Sequence, residues 1–513
     1  MKVKRALISV SNKIGLDRFA RELADLGVEI ISTGGTAKFL EEKGVKVIPV
    51  DKVTGFPEIL NGRVKTLHPH IHAGLLAERD KHEHMLTLKE KGIDPIDMVV
   101  VNLYPFEEVS GTRGVSEEEV IENIDIGGPT MVRAAAKNFK SVAVVTDPRR
   151  YPAIIEEMKA NDNQLSQETL RDLATQTFHS IAHYDTVIAN WFSEGVADFP
   201  PFMLMDFEKV QTLRYGENPH QRAAYYAEVG ARRHLLSRVT QLHGGELSFN
   251  NLLDLNSARR LLREFSLPAA VIVKHNNPSG VAVAEDISRA YRKALAADPV
   301  SAFGSVVALN RIVDEELAEH LSKLFIEVLL APGYVAEAVE ILTKKPKIRI
   351  LVNEERRKSV SGEPDFKRVI GGILMQDKDS GVDERDTMDV VTKRHPDEKE
   401  WGDALFAWRV AKHVRSNAIV IADTLATLGI GAGQMSRVDA ANVAIQKSLQ
   451  DLKGASVASD AFFPFTDALD LLVPKGISCI IQPGGSMRDD GVIRMCDEND
   501  VAMIFTHTRH FLH

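Results

Sequence analysis

Residues 5–50 read RALISVSNKIGLDRFARELADLGVEIISTGGTAKFLEEKGVKVIPV, and the punctuation of this stretch decides the fold class. Three short apolar runs, Arg5–Val10, Val28–Ser32 and Val45–Val50, have the length and composition of buried strands. Between them, Gly15–Leu26 and Thr36–Lys43 carry apolar residues at helical spacing. Gly27 and Gly44 stand where a helix C-terminus takes a left-handed residue. Two successive strand–helix–strand units predict a parallel sheet with right-handed crossovers. Met98–Asn102 and Ser141–Thr146 extend it, so the chain to residue 195 is predicted as α/β.

Further along, from Trp191 to Phe207, the periodicity lapses around the paired prolines Pro200 and Pro201, which marks a domain joint. Residues 1–195 are thus expected to form one domain, 196–207 a linker and 208–513 a second region. In that region the strand-like runs Ala270–Val273, Ser305–Leu309, Ala418–Ala422 and Ile477–Ile481 alternate with the helical Asp286–Ala296 and Ala440–Leu449. It too is α/β, and too long for one compact unit. The doubly charged stretch Gln376–Asp403 reads as a solvated excursion or surface helix. No internal repeat is visible.

Composition narrows the function. The 513 residues are 44% hydrophobic and 26% charged, a globular balance. A net charge of −9 and a pI near 6.0 are opposite to the usual nucleic-acid binder. The apolar stretch Ala6–Val10, broken by Ser9 and stopped by Ser11, is too short for a secretory core, and no run approaches a membrane span. Two cysteines, Cys479 and Cys496, exclude a disulfide framework and a Cys-rich zinc site. A soluble cytoplasmic protein is expected, without nucleic-acid or membrane partners. Anionic substrates must then be held by local donors against the overall field.

Three such donor segments fall at strand ends or in a loop: Ser11-Asn12-Lys13, Thr33-Gly34-Gly35-Thr36 and Arg63-Val64-Lys65-Thr66. Open α/β sheets bind ligands at the C-terminal ends of their strands. Thr33–Thr36 leads into a helix whose free N–H groups can hold a phosphate, although a plain helix entry would read alike. Asp125 and Lys137 bracket a helical stretch in which Lys137 follows three alanines. Partial desolvation there would draw its pKa down towards a useful range; a surface lysine is the bland alternative. In the second region, Lys274 and His275 can share a site only if their strand ends there, because neighbouring strand side chains face opposite ways. The following Asn-Asn-Pro-Ser-Gly run supplies that ending. A nearby ammonium favours a neutral imidazole able to act as a base. The turn Arg214–Gln221 is dense in donors, but a hydrogen-bonded structural turn would look the same.

SVSNKIGL, STGGTAKFL, TGFPEILNGRVKTLHPHIHAGLL, NLYPF, DIGGPTMVRAAAKN and VVTDP, in this order, resemble the inosine monophosphate cyclohydrolase domain, whose fold is like that of methylglyoxal synthase. The resemblance implies that Ser11, Asn12, Lys13, Thr33, Gly34, Gly35, Thr36, Arg63, Val64, Lys65, Thr66, Val101, Asn102, Asp125 and Ile126 hold the nucleotide. It implies Lys65, Tyr104, Asp125 and Lys137 as the catalytic set. Ring closure needs one group to accept an amide proton and another to protonate the departing oxygen. Asp125 is expected to orient Lys137 for that exchange, with Tyr104 and Lys65 polarising the formyl oxygen. Phe139 stands where the family often has His or Tyr and is given no role.

RYGENPHQ, KHNNPSG, DPVSAFGSVVALN, LLAPGY, VRSNAIV, GIGAGQMSRVDA, SDAFFPFTDALD, IQPGGSMRDDGVI and THTRHFLH resemble the 5-aminoimidazole-4-carboxamide ribonucleotide (AICAR) transformylase domain. Its fold is a pair of cytidine-deaminase-like subdomains used without zinc, and no H-x-E with P-C-x-x-C pattern occurs here. The resemblance implies Lys274 and His275 as catalytic residues. It places the ribonucleotide on Arg214, Tyr215, His275, Gly304, Glu327, Asn417, Arg437, Phe462 and Arg509. The co-substrate 10-formyltetrahydrofolate is placed on Val438, Asp467, Ser486 and Met487, with no metal ligand. Glu327 replaces an Asp of some relatives, and Met487 and Gly491 loosen the folate match. The resemblance further implies a homodimer with transformylase sites at the interface, and some relatives carry a structural monovalent cation. Two rivals differ in class: a nucleotide-sensing module, which would need neither Lys137 nor Tyr104, and a deaminase, which would need zinc.

Overall fold

A computed structural model describes residues 1–195, 199–229, 235–236, 239–353, 364–381 and 384–513, so part of the expected linker, residues 196–198, lies outside the described residues. The chain divides into two compact units. The first comprises 1–208 with 228–230, and the second comprises 209–227 with 231–513.

The first unit is built on strands β1 (Arg5–Val10), β2 (Glu29–Ser32), β3 (Ile48–Pro49), β4 (Met98–Asn102) and β5 (Ala143–Val145), ordered β3-β2-β1-β4-β5. All four pairings are parallel. β3 is much shorter than the run Val45–Val50 suggests, because helix Val50–Thr54 begins at its end. Gly27 (φ 76°) and Gly44 (φ 78°) follow helices Leu16–Asp25 and Gly34–Glu42 in the expected left-handed conformation. The face of the sheet bearing Ile8, Val10 and Val100 packs on Leu16, Phe19 and Leu23. The opposite face packs on Met131, Ala135 and Ile181 of helices Gly127–Lys137 and Gln167–Ser193.

In the second unit, β6 (Phe207–Leu213) and β7 (Ala223–Glu228) form a small ribbon at its start, as do β14 (Pro364–Val369) and β15 (Gly372–Asp377) later. The other strands are β8 (Val239–His243), β9 (Ala269–Lys274), β10 (Asn277–Val283), β11 (Ser305–Leu309), β12 (Ile326–Ala331) and β13 (Arg349–Asn353). After the second ribbon come β16 (Asp389–Val390), β17 (Ile419–Asp423), β18 (Ala426–Gly431), β19 (Ser456–Ser459), β20 (Cys479–Gln482) and β21 (Ala502–Phe505). They make one twelve-stranded sheet, β16-β21-β20-β19-β17-β18-β10-β9-β11-β12-β13-β8.

This sheet is built of two like halves, as the resemblance to a pair of like subdomains implies. β10-β9-β11-β12-β13 and β18-β17-β19-β20-β21 have the same order and the same alternation of antiparallel and parallel pairings. Each half is preceded by a helix of fourteen residues, Phe249–Leu262 or Glu398–Ala411, opened by a capping box from Ser248 or Asp397. Each then has a helix of eleven residues after its hairpin, Ile287–Ala297 or Arg437–Lys447. Gly280 of β10 lies against the carbonyl of Ala294, and Gly429 of β18 against that of Ala444. A side chain at either glycine would collide with its helix. The halves meet where β10 pairs with β18 at Ala282 and Ala426, reinforced by Thr427, whose hydroxyl bonds both main-chain groups of Val281.

The two halves thus share an architecture without a visible sequence repeat. The reading of Gln376–Asp403 as a solvated excursion or surface helix fits its mostly exposed first part and is corrected at its end. The segment runs into helix Glu398–Ala411, whose Trp401, Ala404 and Trp408 are core, and its Glu400 and Asp403 are buried. The Glu400 carboxylate pairs with Arg394 (2.5 Å) and Asp403 with Lys399 (3.1 Å), which is how a charged sequence comes to be packed inside.

Candidate functional sites

In the first unit, chain order reverses beside β1, where β2 lies on one side and β4 on the other. At this switch point Asn12 and Asn102 close a ring of hydrogen bonds. The Asn12 N–H donates to Asn102 Oδ1 and Asn102 Nδ2 donates to the Asn12 carbonyl, both at 2.8 Å. Thr33 and Thr36 are buried. The Thr33 hydroxyl meets Ser9 Oγ at 2.8 Å, and the Thr36 hydroxyl bonds both main-chain groups of Val10. Those bonds fix the start of helix Gly34–Glu42, where Thr33 caps with no side-chain bond. The Thr36 N–H is taken by the Thr33 carbonyl at 2.9 Å, so the Gly34 and Gly35 N–H groups are the ones left for an anion.

The Arg63–Thr66 loop folds onto this cradle. Lys65 Nζ would be 3.8 Å from a Cβ at Gly34, and it lies 3.7 Å from Glu58 Oε1. Thr66 Oγ1 would be 2.9 Å from a Cβ at Gly127, so this residue must lack one. Asp125 Oδ1 accepts the Gly128 N–H at 2.9 Å. Burial raises the Asp125 carboxyl above its usual range, opposed by the Gly128 N–H, the Lys65 ammonium and the Tyr104 main chain. Lys65, Thr66, Tyr104 and Asp125 thus converge beside Gly34.

Other expected residues behave differently. Arg63 is exposed and forked onto Glu122. The Val101 side chain is core, leaving only its main chain for a ligand; Ile126 is 60% exposed, Lys13 bonds the Ser11 carbonyl at 3.4 Å, and Val64 bridges to Ile59. Lys137 is exposed, not partly desolvated. Asp125 lies before helix Gly127–Lys137 and Lys137 ends it, so at 1.5 Å per residue roughly 15 Å separates them along the axis. The expectation that Asp125 directly orients Lys137 is corrected: the lysine beside Asp125 is Lys65. The sequence also gave no warning of Tyr184, whose hydroxyl accepts the Asp125 N–H.

In the second unit, β9 ends at Lys274, and His275 (φ 52°) with Asn276 (φ 60°) forms a tight left-handed turn into β10. The turn is these two residues; Asn277 to Gly280 already belong to the return strand. Lys274 Nζ donates to the Phe303 carbonyl at 2.7 Å, and the neighbouring Gly304 (φ 72°) donates its N–H to the Phe325 carbonyl at 2.7 Å. Glu327, two residues on, pairs with Arg349 at 2.9 Å. His275 is exposed at the mouth of a cavity of about 280 Å³, lined by Lys274, Asn277, Ser279, Asp298, Gln434 and Lys447 among others. The cavity draws its walls from both halves of the duplicated sheet.

From Asn277 a chain of polar contacts runs to the other expected ligands. Asn277 Oδ1 accepts the Arg415 N–H at 3.0 Å, Asn417 Nδ2 donates to the Gln434 carbonyl at 2.8 Å, and Arg437 donates to Asn417 Oδ1 at 2.9 Å and to the Phe462 carbonyl at 3.1 Å. The remaining Arg437 nitrogen pairs with buried Asp460 at 3.1 Å, and Asp460 takes the Ser416 hydroxyl at 2.5 Å. Burial lowers the Arg437 guanidinium and raises the Asp460 carboxyl. Asn417, Arg437 and Phe462 are thus brought together, with Asp460 as a partner that sequence motifs did not single out. Arg214 lies over the Tyr215 ring at 5.8 Å, in a turn closed by Gly216 N–H to the Gln221 carbonyl at 2.7 Å. Arg509 lies over Phe511 at 4.3 Å. Among the described residues, no hydrogen bond or ion pair joins Arg214, Tyr215 or Arg509 to the residues that line the cavity. Val438 is half-buried beside Arg437, Asp467 opens a helix packed on that of Val438, and Met487 is fully exposed. The Ser486 N–H bonds Asp489 at 3.0 Å, and Arg488 covers the Phe465 ring at 4.5 Å. Among the described residues no group of three His, Cys, Asp or Glu side chains converges to hold a metal, and no helix is long and apolar enough to cross a membrane.

The model of the AICARFT/IMPCHase bienzyme matches residues 135–447, and that of the MGS-like domain matches residues 15–130. Curated relatives match end to end. The bifunctional purine biosynthesis protein PurH of Acetivibrio thermocellus is 50% identical over 514 residues, covering 100% of both chains. Its namesake from Thermoanaerobacter sp. is 52% identical over 511 residues, 99% of this chain and 100% of that one. The protein of the same name from Anoxybacillus flavithermus is 51% identical over 514 residues, with the same coverage.

Proposed function

The chain belongs to the bifunctional AICAR transformylase/IMP cyclohydrolase family, and from that premise we propose how its two units divide the work. It is a purine-biosynthetic enzyme that transfers a formyl group to AICAR and then cyclises the product to inosine monophosphate. In our reading the first unit closes the ring and the second transfers the formyl group. The formyl donor is 10-formyltetrahydrofolate, the working form a cytoplasmic homodimer.

The observation that carries the assignment is the Lys274–His275 strand end at the mouth of the cavity. The substrate amine is a poor nucleophile, because its lone pair is delocalised into the ring. His275 takes the amine proton as nitrogen attacks the formyl carbon. Lys274, anchored on the Phe303 carbonyl, faces the oxyanion that forms. The C–N bond to the folate then breaks, and the departing nitrogen regains a proton. A positioned base contributes about 10²–10⁴-fold to such a step. A half-buried Val438 and the Phe465–Arg488 stack near Ser486 suit a flat heterocycle with an acidic tail.

In the first unit the nucleotide phosphate sits on the Gly34 and Gly35 N–H groups, between Lys13 and Lys65. The carboxamide nitrogen attacks the formyl carbon and water leaves. Asp125 handles the nitrogen's proton while Lys65 and Tyr104 polarise the formyl oxygen. Lys137 stands at the far end of its helix, away from this cluster, and is given no step.

The test supplies AICAR and 10-formyltetrahydrofolate and follows inosine monophosphate. Lys274→Ala is expected to block formylation yet close added formylated intermediate, while Lys65→Ala accumulates that intermediate. Failure of both variants at one common step would overturn the division of labour.

A further inference from the structure

We propose that Asp254 is a positioning residue for formyl transfer, holding His275 in reach of the substrate through the backbone of its turn. This rests on the reading of Lys274 and His275 given above.

Non-glycine residues resist positive φ, and two in succession must be held by their surroundings. Here the clamp is visible. Asp254, on helix Phe249–Leu262, accepts the Asn276 N–H at 2.7 Å and the His275 N–H at 3.3 Å. From the next turn of the same helix, Ser257 donates to Asn276 Oδ1 at 3.1 Å, and Asn277 Nδ2 closes the other side on the His275 carbonyl at 3.3 Å. A buried carboxylate is expensive, and burial raises this one, opposed by the two N–H groups and by the charges of His275 and Lys274. Its anion therefore lies close to both groups that do the chemistry.

The duplicated half provides an internal control. Asp403 occupies the sixth position of its helix, as Asp254 does of its own. It accepts the Leu425 N–H at 2.7 Å in the turn Thr424 (φ 50°)–Leu425 (φ 54°) between β17 and β18. The same carboxylate holds the same hairpin, but where β9 ends in Lys274 and the turn opens with His275, its counterpart ends in Asp423 and opens with Thr424. A purely architectural role would weigh equally in both halves. A positioning role would weigh on catalysis in one only.

Asp254→Asn and Asp403→Asn in the full-length chain separate the two. Asp254→Asn is expected to lower kcat for formyl transfer about 10²-fold, the cost of misplacing a reacting group by about 1 Å. The KM for the formyl donor and the closure of added formylated intermediate should hold. Asp403→Asn is expected to lose comparable thermal stability while keeping kcat near the parent value. Should Asp403→Asn fail to fold, Ser257→Ala replaces it: loss of one bond to Asn276 should reduce kcat by less than Asp254→Asn does, with the KM unchanged. An unchanged kcat in Asp254→Asn, or equal loss in Asp403→Asn, overturns the inference while His275→Ala is inactive. If His275→Ala itself retains formyl transfer, the reading of the site falls and the inference with it.

Discussion

The phenol oxygen of Tyr184 accepts the backbone N–H of Asp125 at 2.8 Å and donates to the Asn123 carbonyl at 3.1 Å. Burial pushes this phenol up to about 12, so it stays protonated at working pH and serves as a fixed bracket. Helix Gln167–Ser193 thereby sets the depth of a carboxylate that lies 59 residues away in the chain.

Tyr184→Phe keeps the packing against Phe106 but leaves a part-buried N–H and carbonyl without their partner. Such losses cost about 1–3 kcal/mol. We expect a corresponding drop in the stability of the first unit on urea unfolding and slower ring closure, with formyl transfer unaffected.

Asp125→Asn should stabilise the first unit while disabling it. Because the folded carboxyl is raised above its ordinary value, the native state binds more protons than the unfolded one just above pH 3.8, and stability falls as pH rises through the raised value. At neutral pH the wild type therefore carries a penalty that the amide lacks, since Asn can still accept the Gly128 N–H. Unfolding at about pH 7 should show the variant to be more stable, and the difference should vanish in acid below the ordinary carboxyl range. A variant less stable at neutral pH would show that the bond to Gly128 outweighs the burial.

Gly280→Ala and Gly429→Ala should each be destabilising, because either Cβ meets a helix carbonyl that belongs to rigid backbone. Overpacking of this kind costs about 1–3 kcal/mol. The two losses should be similar on thermal unfolding. Both should also slow formyl transfer, since Pro278 and Ser279 beside Gly280 line the cavity and Gly429 lines it directly.

His413 is buried, and burial lowers its imidazole below 6.5 despite Glu264 at 2.8 Å. The unfolded chain takes up a proton as pH falls past 6.5 while the folded one resists. This histidine therefore costs the second unit stability on the acid side of that value. Comparing unfolding at about pH 7.5 and about pH 5.5, His413→Gln should lose less stability on acidification than the parent.

Much of the first unit was legible because its signals are local. Arg5–Val10 and Met98–Asn102 coincide with β1 and β4, and Gly27 and Gly44 punctuate where expected. Convergence was harder to see. That Lys65 rather than Lys137 stands beside Asp125 follows from helix rise, a constraint that motif order does not carry. Tyr184 is an aromatic in a long helix, like any core residue until its hydroxyl is placed. The duplication was implied by the family resemblance and not by any repeat visible in the residues. What the halves share is an Asp at one helical position, two capping boxes and a glycine under each helix, and these are too sparse and too widely spaced to show as a repeat. Glu400 and Asp403 misled in the opposite sense, since their charges are neutralised by Arg394 and Lys399 and not by water.

The joint at Ala282 and Ala426 has a consequence for any attempt to dissect the protein. A reaction chamber that straddles a seam has no owner: split between β15 and β16, each fragment would lose the opposite wall and its share of a hydrophobic floor that both halves build. Activity should then return only when the fragments are mixed, and its recovery should follow reassociation, however well each piece folds alone.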